Sequence, residues 1–264
     1  MNDRVAVEIT KGVADVRLVR ADKLNALDEA MFQALVDTGE RLKSEPGLRA
    51  VVLSGEGRAF CAGLDMGRFG SMAEGASKPR NLGLRSHGIA NHPQYAVWVW
   101  HEIPVPVIAS VHGVAYGGGF QLCLAADMRY VTPEARLSIM EIKWGLVPDM
   151  AGTQLLRHLV RDDVARELTY TGRIFSGEEA LGYGIATRLC ADPRAAALET
   201  AREIAGKSPS AIRAAKRLLN ASRLVTEEAG LVQEAIEQEA LIASPNQIEA
   251  VMANLQKRAP EFRD

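Results

Sequence analysis

Three glycines in a row, Gly117–Gly119, follow the apolar stretch Val105–Val111 and precede Phe120 and Gln121. A glycine-rich turn between a buried strand and a helix leaves backbone N–H groups unpaired at the helix start, where the helix dipole favours negative charge. Glycine also lets a ligand touch the main chain where a Cβ would collide. The spacing matches neither GxGxxG nor GxxxxGK(S/T), so no nucleotide-phosphate loop is specified. A tight turn packed closely on its strand fits the local pattern as well. A second small turn, Ala62-Gly63 in the stretch RAFCAGLDM (58–66), follows the apolar run Ala50–Leu53. Two such turns, each presenting one N–H to the same oxygen, would form an oxyanion hole that is built from backbone and therefore preorganised. They lie far apart in the chain, and spacing alone does not bring them together.

Carboxylates supply the other chemistry. Asp149 lies eight residues after Glu141, with Gly145 and Pro148 between them, which predicts a shaped loop rather than a continuous helix. A loop aspartate also serves to hydrogen-bond backbone N–H groups. The five histidines and three cysteines are scattered, with no CxxC and no metal-ligand spacing, so neither a zinc site nor a disulfide framework is expected. Cys61, Ser138 and Thr153 have no base near them in sequence, which disfavours a hydrolase triad. Trp98, Trp100 and Trp144 suit a core or an acyl pocket. His112 reads as a packed histidine, and Asp127, after an apolar helix, as structural.

The elements that must position these residues have an α/β pattern. Val5–Ile9 and Val13–Val19 alternate around Lys11-Gly12 as a hairpin. Asp28 caps a helix on which Met31, Leu35, Val36, Gly39 and Leu42 recur at helical spacing up to the stop at SEPG. Ala50–Leu53, Val105–Val111 and Met128–Val131 read as buried strands. Residues 67–100 read as a mobile loop leading into a helix. Strand, glycine-rich loop, helix and strand make an αβ crossover. From about Asp192 strand signals vanish and prolines punctuate helices, which divides the chain into a core, 1–195, and a helical region, 196–264. A net charge of −2 without a basic, aromatic-interleaved stretch disfavours nucleic acid. No apolar run approaches the roughly 20 residues of a membrane helix. The N-terminus lacks a signal-peptide core, and a reducing cytoplasm is the expected compartment.

The motifs DKLNAL (22–27), RAFCAGLDM (58–66), PVPVIASVHGVAYGGGFQLCLAADMRYV (104–131), EIKWGLVPDMAGTQLL (141–156) and TGRIFSGEEALGYGI (171–185) occur in this order, and the chain resembles the crotonase superfamily of enoyl-CoA hydratases and isomerases over almost its whole length. The resemblance implies a spiral of ββα turns with a C-terminal helical region that packs in a trimer or a dimer of trimers. It implies an acyl-CoA substrate, with coenzyme A entering as part of the substrate and no separate cofactor. The N–H groups of Ala62 and Gly118 would grip the thioester carbonyl while an enolate forms. Cys61, Gly63, Leu64, Gly117, Gln121 and Trp144 would line the substrate site, and Lys257 matches a family lysine that approaches the CoA phosphates.

The resemblance is incomplete at Gln121. Hydratases of the family commonly carry a glutamate there and pair it with a second one, at the position of Glu141, to handle the attacking water. An amide cannot exchange that proton. Dienoyl-CoA isomerases resemble the Glu141 and Asp149 pattern and move a proton between carbons with such a pair, although they carry an aspartate where this chain has Gln121. Double-bond isomerisation is therefore expected over hydration. A hydratase of reduced activity, a non-catalytic CoA-binding member and, least of all, an RNA-binding relative are the alternatives.

Overall fold

The computed structural model describes residues 3–73 and 81–264. Strand β1 (Val5–Thr10) pairs antiparallel with β2 (Val13–Leu18) across Lys11 and Gly12, which take φ 50° and 78°. Two residues at positive φ match the twist of a two-residue hairpin. Beyond β2 the sheet grows in parallel through β3 (Ala50–Gly55), β4 (Val107–Val111), β6 (Met128–Val131) and β9 (Arg188–Leu189), in the order β1-β2-β3-β4-β6-β9. A second sheet holds β5 (Val114–Tyr116), β7 (Arg136–Ser138) and β8 (Phe175–Ser176). Each turn of the chain leaves the first sheet, touches the second and returns through helix, as in the expected spiral. The change of sheet after β4 occurs at Gly113, φ 63°, where an added Cβ would lie 2.0 Å from the Arg58 carbonyl oxygen.

Helix α1 (Glu29–Lys43) starts at Asp28, whose carboxylate accepts the Met31 N–H at 2.8 Å. α2 (Met66–Ala73) and α3 (His92–Glu102) take up the two ends of the stretch 67–100, which reads as a mobile loop leading into a helix. Its first part is helical, and residues 74–80 lie outside the described residues. α3 opens on a capping box between Asn91 and Gln94 and packs on α1 where Gly39 faces Val99; a Cβ at Gly39 would lie 2.5 Å from a Val99 methyl. α4 (Gly118–Leu124) follows the glycine turn, and all of its residues are buried. The short α5 (Gly152–Leu156), α6 (Asp162–Thr171) and α7 (Gly177–Gly182) fill the return between the sheets.

One face of the large sheet joins the main core with Leu27, Met31, Leu35, Phe60, Trp100 and Phe120. The other face, Val13, Ala50, Val52, Ile108 and Tyr130, is covered by Ala197 and Ala201 of α8 (Pro193–Ala205). The change of composition near residue 195 therefore marks the end of the strands, because α8 is still a layer of the packed core. α9 (Pro209–Ala221) is pinned by Lys216, whose ammonium donates to the Val105 carbonyl at 2.9 Å and to Asp127 Oδ2 at 2.8 Å. Asp127 also accepts the Val107 N–H at 2.7 Å, so the expected structural role holds. α10 (Glu227–Leu241) buries none of its residues, and α11 (Pro245–Leu255) buries only Asn246 and Ala253.

Candidate active site

The two small turns meet. Phe60 N–H donates to the His112 carbonyl, Cys61 N–H to the Val114 carbonyl and Tyr116 N–H to the Cys61 carbonyl, at 2.9, 3.1 and 3.1 Å. Segment 60–64 thus runs along 112–118 as an added edge of the second sheet. Contact is close at Gly63, φ 85°, where a Cβ would lie 2.5 Å from the Tyr116 oxygen and 3.6 Å from the Gly118 nitrogen. Gly119 has the same need: a Cβ there would stand 2.3 Å from the Cys61 carbonyl oxygen. The glycines serve this backbone-to-backbone approach, which supports the packed-turn reading and the ligand reading together.

Asn25 explains how the loop before the first turn is held. Its side chain is fully buried; Nδ2 donates to the carbonyls of Glu56, Ala59 and Phe60, and Oδ1 accepts the Arg20 N–H. Sequence reasoning quoted Asn25 within DKLNAL without giving it a task. The available signal is an asparagine in a short turn-like stretch, since Asn tolerates the left-handed conformation that Leu24 and Asn25 both take.

The donor assigned to Ala62 must be corrected. Its N–H is occupied by the Leu24 carbonyl at 2.9 Å and cannot reach a ligand. Two residues on, the Leu27 N–H bonds the Gly63 carbonyl and the Asp65 N–H bonds the Leu27 carbonyl, so the parallel bridge at Leu64 uses neither polar group of Leu64 itself. Among the described residues the Leu64 N–H has no partner, and neither does the Gly118 N–H at the start of α4. Leu64 and Gly118 thus offer one free backbone donor on each of the two adjoining turns.

The glutamine is buried and bonded at both ends of its amide. Gln121 Oε1 accepts the N–H groups of Met150 and Gly152 at 2.8 and 2.9 Å, and Nε2 donates to Glu141 Oε1 at 2.6 Å. Glu141 sits on a short 3₁₀ turn, Met140–Trp144, that ends at Gly145 with φ 69°. Its Oε1 lies 3.2 Å from where a Gly117 Cβ would be, and its Oε2 is buried with no hydrogen bond among the described residues. Burial raises the Glu141 carboxyl above the ordinary range, the Gln121 amide pulls it back in part, and the nearby Asp149 charge raises it further. Asp149 keeps solvent-accessible surface, yet burial raises its carboxyl too. Both hold for a side chain on a cleft wall, wetted on one side and desolvated on the others. The expected loop between the two carboxylates is present, and the field of one reaches the other.

The remaining expected site residues fall in two groups. Cys61 packs beneath Gly119; its thiol donates to the Asn25 carbonyl at 3.1 Å, and burial pushes it up to about 12, so no thiolate is available. Met150, which sequence reasoning did not single out, puts its Sδ 2.8 Å from a Gly118 Cβ position, beside Leu27. Trp144 is partly exposed, with the Lys143 ammonium 5.4 Å from its ring centre. Lys257 is exposed, two residues past the end of α11, and among the described residues no hydrogen bond or ion pair of its side chain joins it to the cleft. Among the described residues no cluster of His, Cys, Asp and Glu could hold a metal ion, and no helix is long and apolar enough to cross a membrane.

Two N–H groups on adjoining turns beside a half-buried carboxylate are the parts needed to stabilise a developing oxyanion while a proton moves. The model of the enoyl-CoA hydratase/isomerase family matches residues 8–264. The chain belongs to that family. It is 33% identical over 249 residues to the peroxisomal Delta(3,5)-Delta(2,4)-dienoyl-CoA isomerase of Arabidopsis thaliana, covering 92% of this chain and 90% of the relative. It is 29% identical over 265 residues to the mitochondrial methylglutaconyl-CoA hydratase of Mus musculus, covering 97% and 81%. Among solved structures, the enoyl-CoA hydratase of Bacillus anthracis superposes with a TM-score of 0.87 at 29% identity, covering 98% of each chain. The crotonase-type fold expected from the motifs is thereby shown, and the protein is an enzyme of the enoyl-CoA hydratase/isomerase type.

Proposed function

We propose that this family member moves a double bond along an enoyl- or dienoyl-CoA thioester and does not add water to it efficiently. The observation that carries this reading is Gln121. Its oxygen is taken up by two backbone N–H groups, and its nitrogen donates to Glu141. It has neither a free lone pair nor a titrating proton with which to activate water, so one of the two carboxylates of the hydratase arrangement is missing in chemistry as well as in name.

The thioester carbonyl oxygen would rest against the Leu64 and Gly118 N–H groups. Glu141, as carboxylate, takes a proton from the carbon next to the thioester. The C–H electron pair moves into the C–C bond, and the carbonyl π pair moves to oxygen, giving the enolate that the two donors stabilise. Losing one such donor costs about 3 kcal/mol. Glu141 suits this carbon because its Oε1 borders Gly117, next to the Gly118 donor. On collapse of the enolate, the far carbon of the conjugated system takes a proton from Asp149 in its acid form, and the double bonds have shifted without net gain or loss of atoms. The first relative above carries out an isomerisation of a dienoyl-CoA by its name, and a glutamate and an aspartate supply this pattern here. Coenzyme A enters with the substrate, and no separate cofactor is required by the steps.

The exposed apolar residues of α10 and α11, Leu231, Val232, Ile236, Ile248, Val251 and Leu255, fit a homo-oligomer, trimer or hexamer. The test of the reaction is to incubate the purified protein with enoyl- and conjugated dienoyl-CoA thioesters and to follow double-bond position and water addition by mass spectrometry and NMR. Isomer at unchanged mass is the expected product. Hydrated product formed faster than isomer overturns the reading, and binding without turnover points to a non-catalytic member.

A further inference from the structure

Gln121 is bonded at one end to Glu141 and at the other to the loop that follows Asp149. Its nitrogen holds Glu141 Oε1 at 2.6 Å, and its oxygen holds the N–H groups of Met150 and Gly152, which flank Ala151 at φ 65°. Backbone N–H groups on either side of a left-handed residue form a nest for a partly negative oxygen. Asp149 immediately precedes this nest, so the same side chain that orients Glu141 also anchors the loop carrying Asp149. The bonding fixes the rotamer of the amide: two N–H donors demand the oxygen on the loop side, and a carboxylate demands the nitrogen on the other. With Oε1 tied down, Glu141 is left with Oε2 as the oxygen free to carry a proton.

We propose that Gln121 is a positioning residue that sets the separation between Glu141 and Asp149, and thereby selects which two carbons of the acyl chain exchange a proton; this rests on the isomerase reading above. A neutral amide performs this task where a second carboxylate would not. In Gln121→Glu one oxygen keeps the nest, and the other replaces the donor next to Glu141 Oε1. Two carboxylates at that distance do not both ionise and must share a proton. In Gln121→Met both tethers are lost.

Two readouts test the proposal. The first needs no substrate: carboxyl infrared titration, with the Glu141 band assigned by subtracting the Glu141→Gln spectrum. Both Gln121 variants are expected to raise the Glu141 midpoint, because both remove the amide donor, and Gln121→Glu is expected to raise it more, because it adds a like charge. The second runs the thioester in deuterium oxide and compares exchange at the carbon beside the thioester with transfer to the far carbon. Exchange needs Glu141 and the oxyanion donors; transfer also needs Asp149 at the right distance. Gln121→Met is expected to lower transfer about 10²-fold relative to exchange, the cost of a misplacement of about 1 Å. If neither variant moves the Glu141 midpoint, or if Gln121→Met keeps the wild-type ratio of exchange to transfer while its Tm falls, Gln121 is a packing residue and the proposal is overturned. Should the wild type neither exchange nor isomerise any thioester, the isomerase reading fails on its own, while the titration still decides whether Gln121 positions Glu141.

Discussion

The N–H of Ala62 donates to the carbonyl of Leu24 at 2.9 Å, which removes it from the cleft and leaves Leu64 as the free donor on that turn. The two positions therefore respond differently to proline. Leu64→Pro deletes a group with no protein partner and is expected to lower turnover by on the order of 10²-fold with a small change in Tm. Ala62→Pro breaks a backbone bond and is expected to lower Tm first. The pair is read by steady-state kinetics beside thermal melting monitored by circular dichroism. Full activity in a folded Leu64→Pro protein would place the oxyanion donor elsewhere.

Glu141 is expected to work as a carboxylate whose pKa burial has raised. The acidic limb of kcat/KM should accordingly lie above the ordinary carboxylate range, with activity lost as pH falls through the raised value. Glu141→Gln keeps the shape and the acceptor for Gln121, and should lower turnover roughly 10²–10⁴-fold at nearly unchanged thioester binding. The sign for stability is opposite. A carboxyl whose pKa is higher folded than unfolded favours folding when protonated, and that contribution fades as pH rises through the folded pKa. At neutral pH the charged form is a burden, so Glu141→Gln should melt at a higher temperature than the wild type, and the gap should close below the unfolded pKa. A variant of unchanged activity and lower Tm would remove Glu141 from the chemistry.

Asp149 is expected to serve the far carbon alone. Asp149→Asn should abolish transfer to that carbon and spare exchange beside the thioester, measured by NMR in deuterium oxide. Equal loss of both would mean that Asp149 supports Glu141 rather than the substrate.

The Lys216–Asp127 pair fastens α9 to the start of β4 through a lysine side chain that is 6% exposed, against 25% for Asp127. Lys216→Met is expected to cost about 2–3 kcal/mol, less than the full loss seen for a wholly buried pair because Asp127 retains water contact. Chemical denaturation measures it. A cost under 0.5 kcal/mol, within the range of ordinary surface substitutions, would show that packing alone holds the helix.

The apolar residues left exposed on α10 and α11 predict self-association. Light scattering at micromolar concentration should give three or six times the chain mass, and Leu231→Asp with Ile236→Asp should shift it downward. A monomeric wild type would leave these faces unexplained by assembly.

The sequence by itself determined the elements and the family. Alternating residues around Lys11-Gly12 specified the first hairpin, Asp28 the start of α1, and Met128–Val131 a strand of the same bounds, because period and capping are local properties of a chain. The ordered motifs specified the spiral fold, and Gln121 put an amide, with no proton to titrate, at its position. Tertiary structure alone decided which N–H groups are free. Ala62 and Leu64 are two residues apart on one turn and equal as donors in sequence; what separates them is that Leu24, almost forty residues earlier, presents its carbonyl to one and Leu27 bridges past the other. The same holds for Gln121, whose partners at 141, 150 and 152 come from a loop without periodicity, and for α8, which composition assigns to the helical region and packing assigns to the sheet. Hydrogen-bond partners set by long-range contact leave no spacing in the sequence, since the order in which backbone groups are satisfied is fixed only when the layers close on one another.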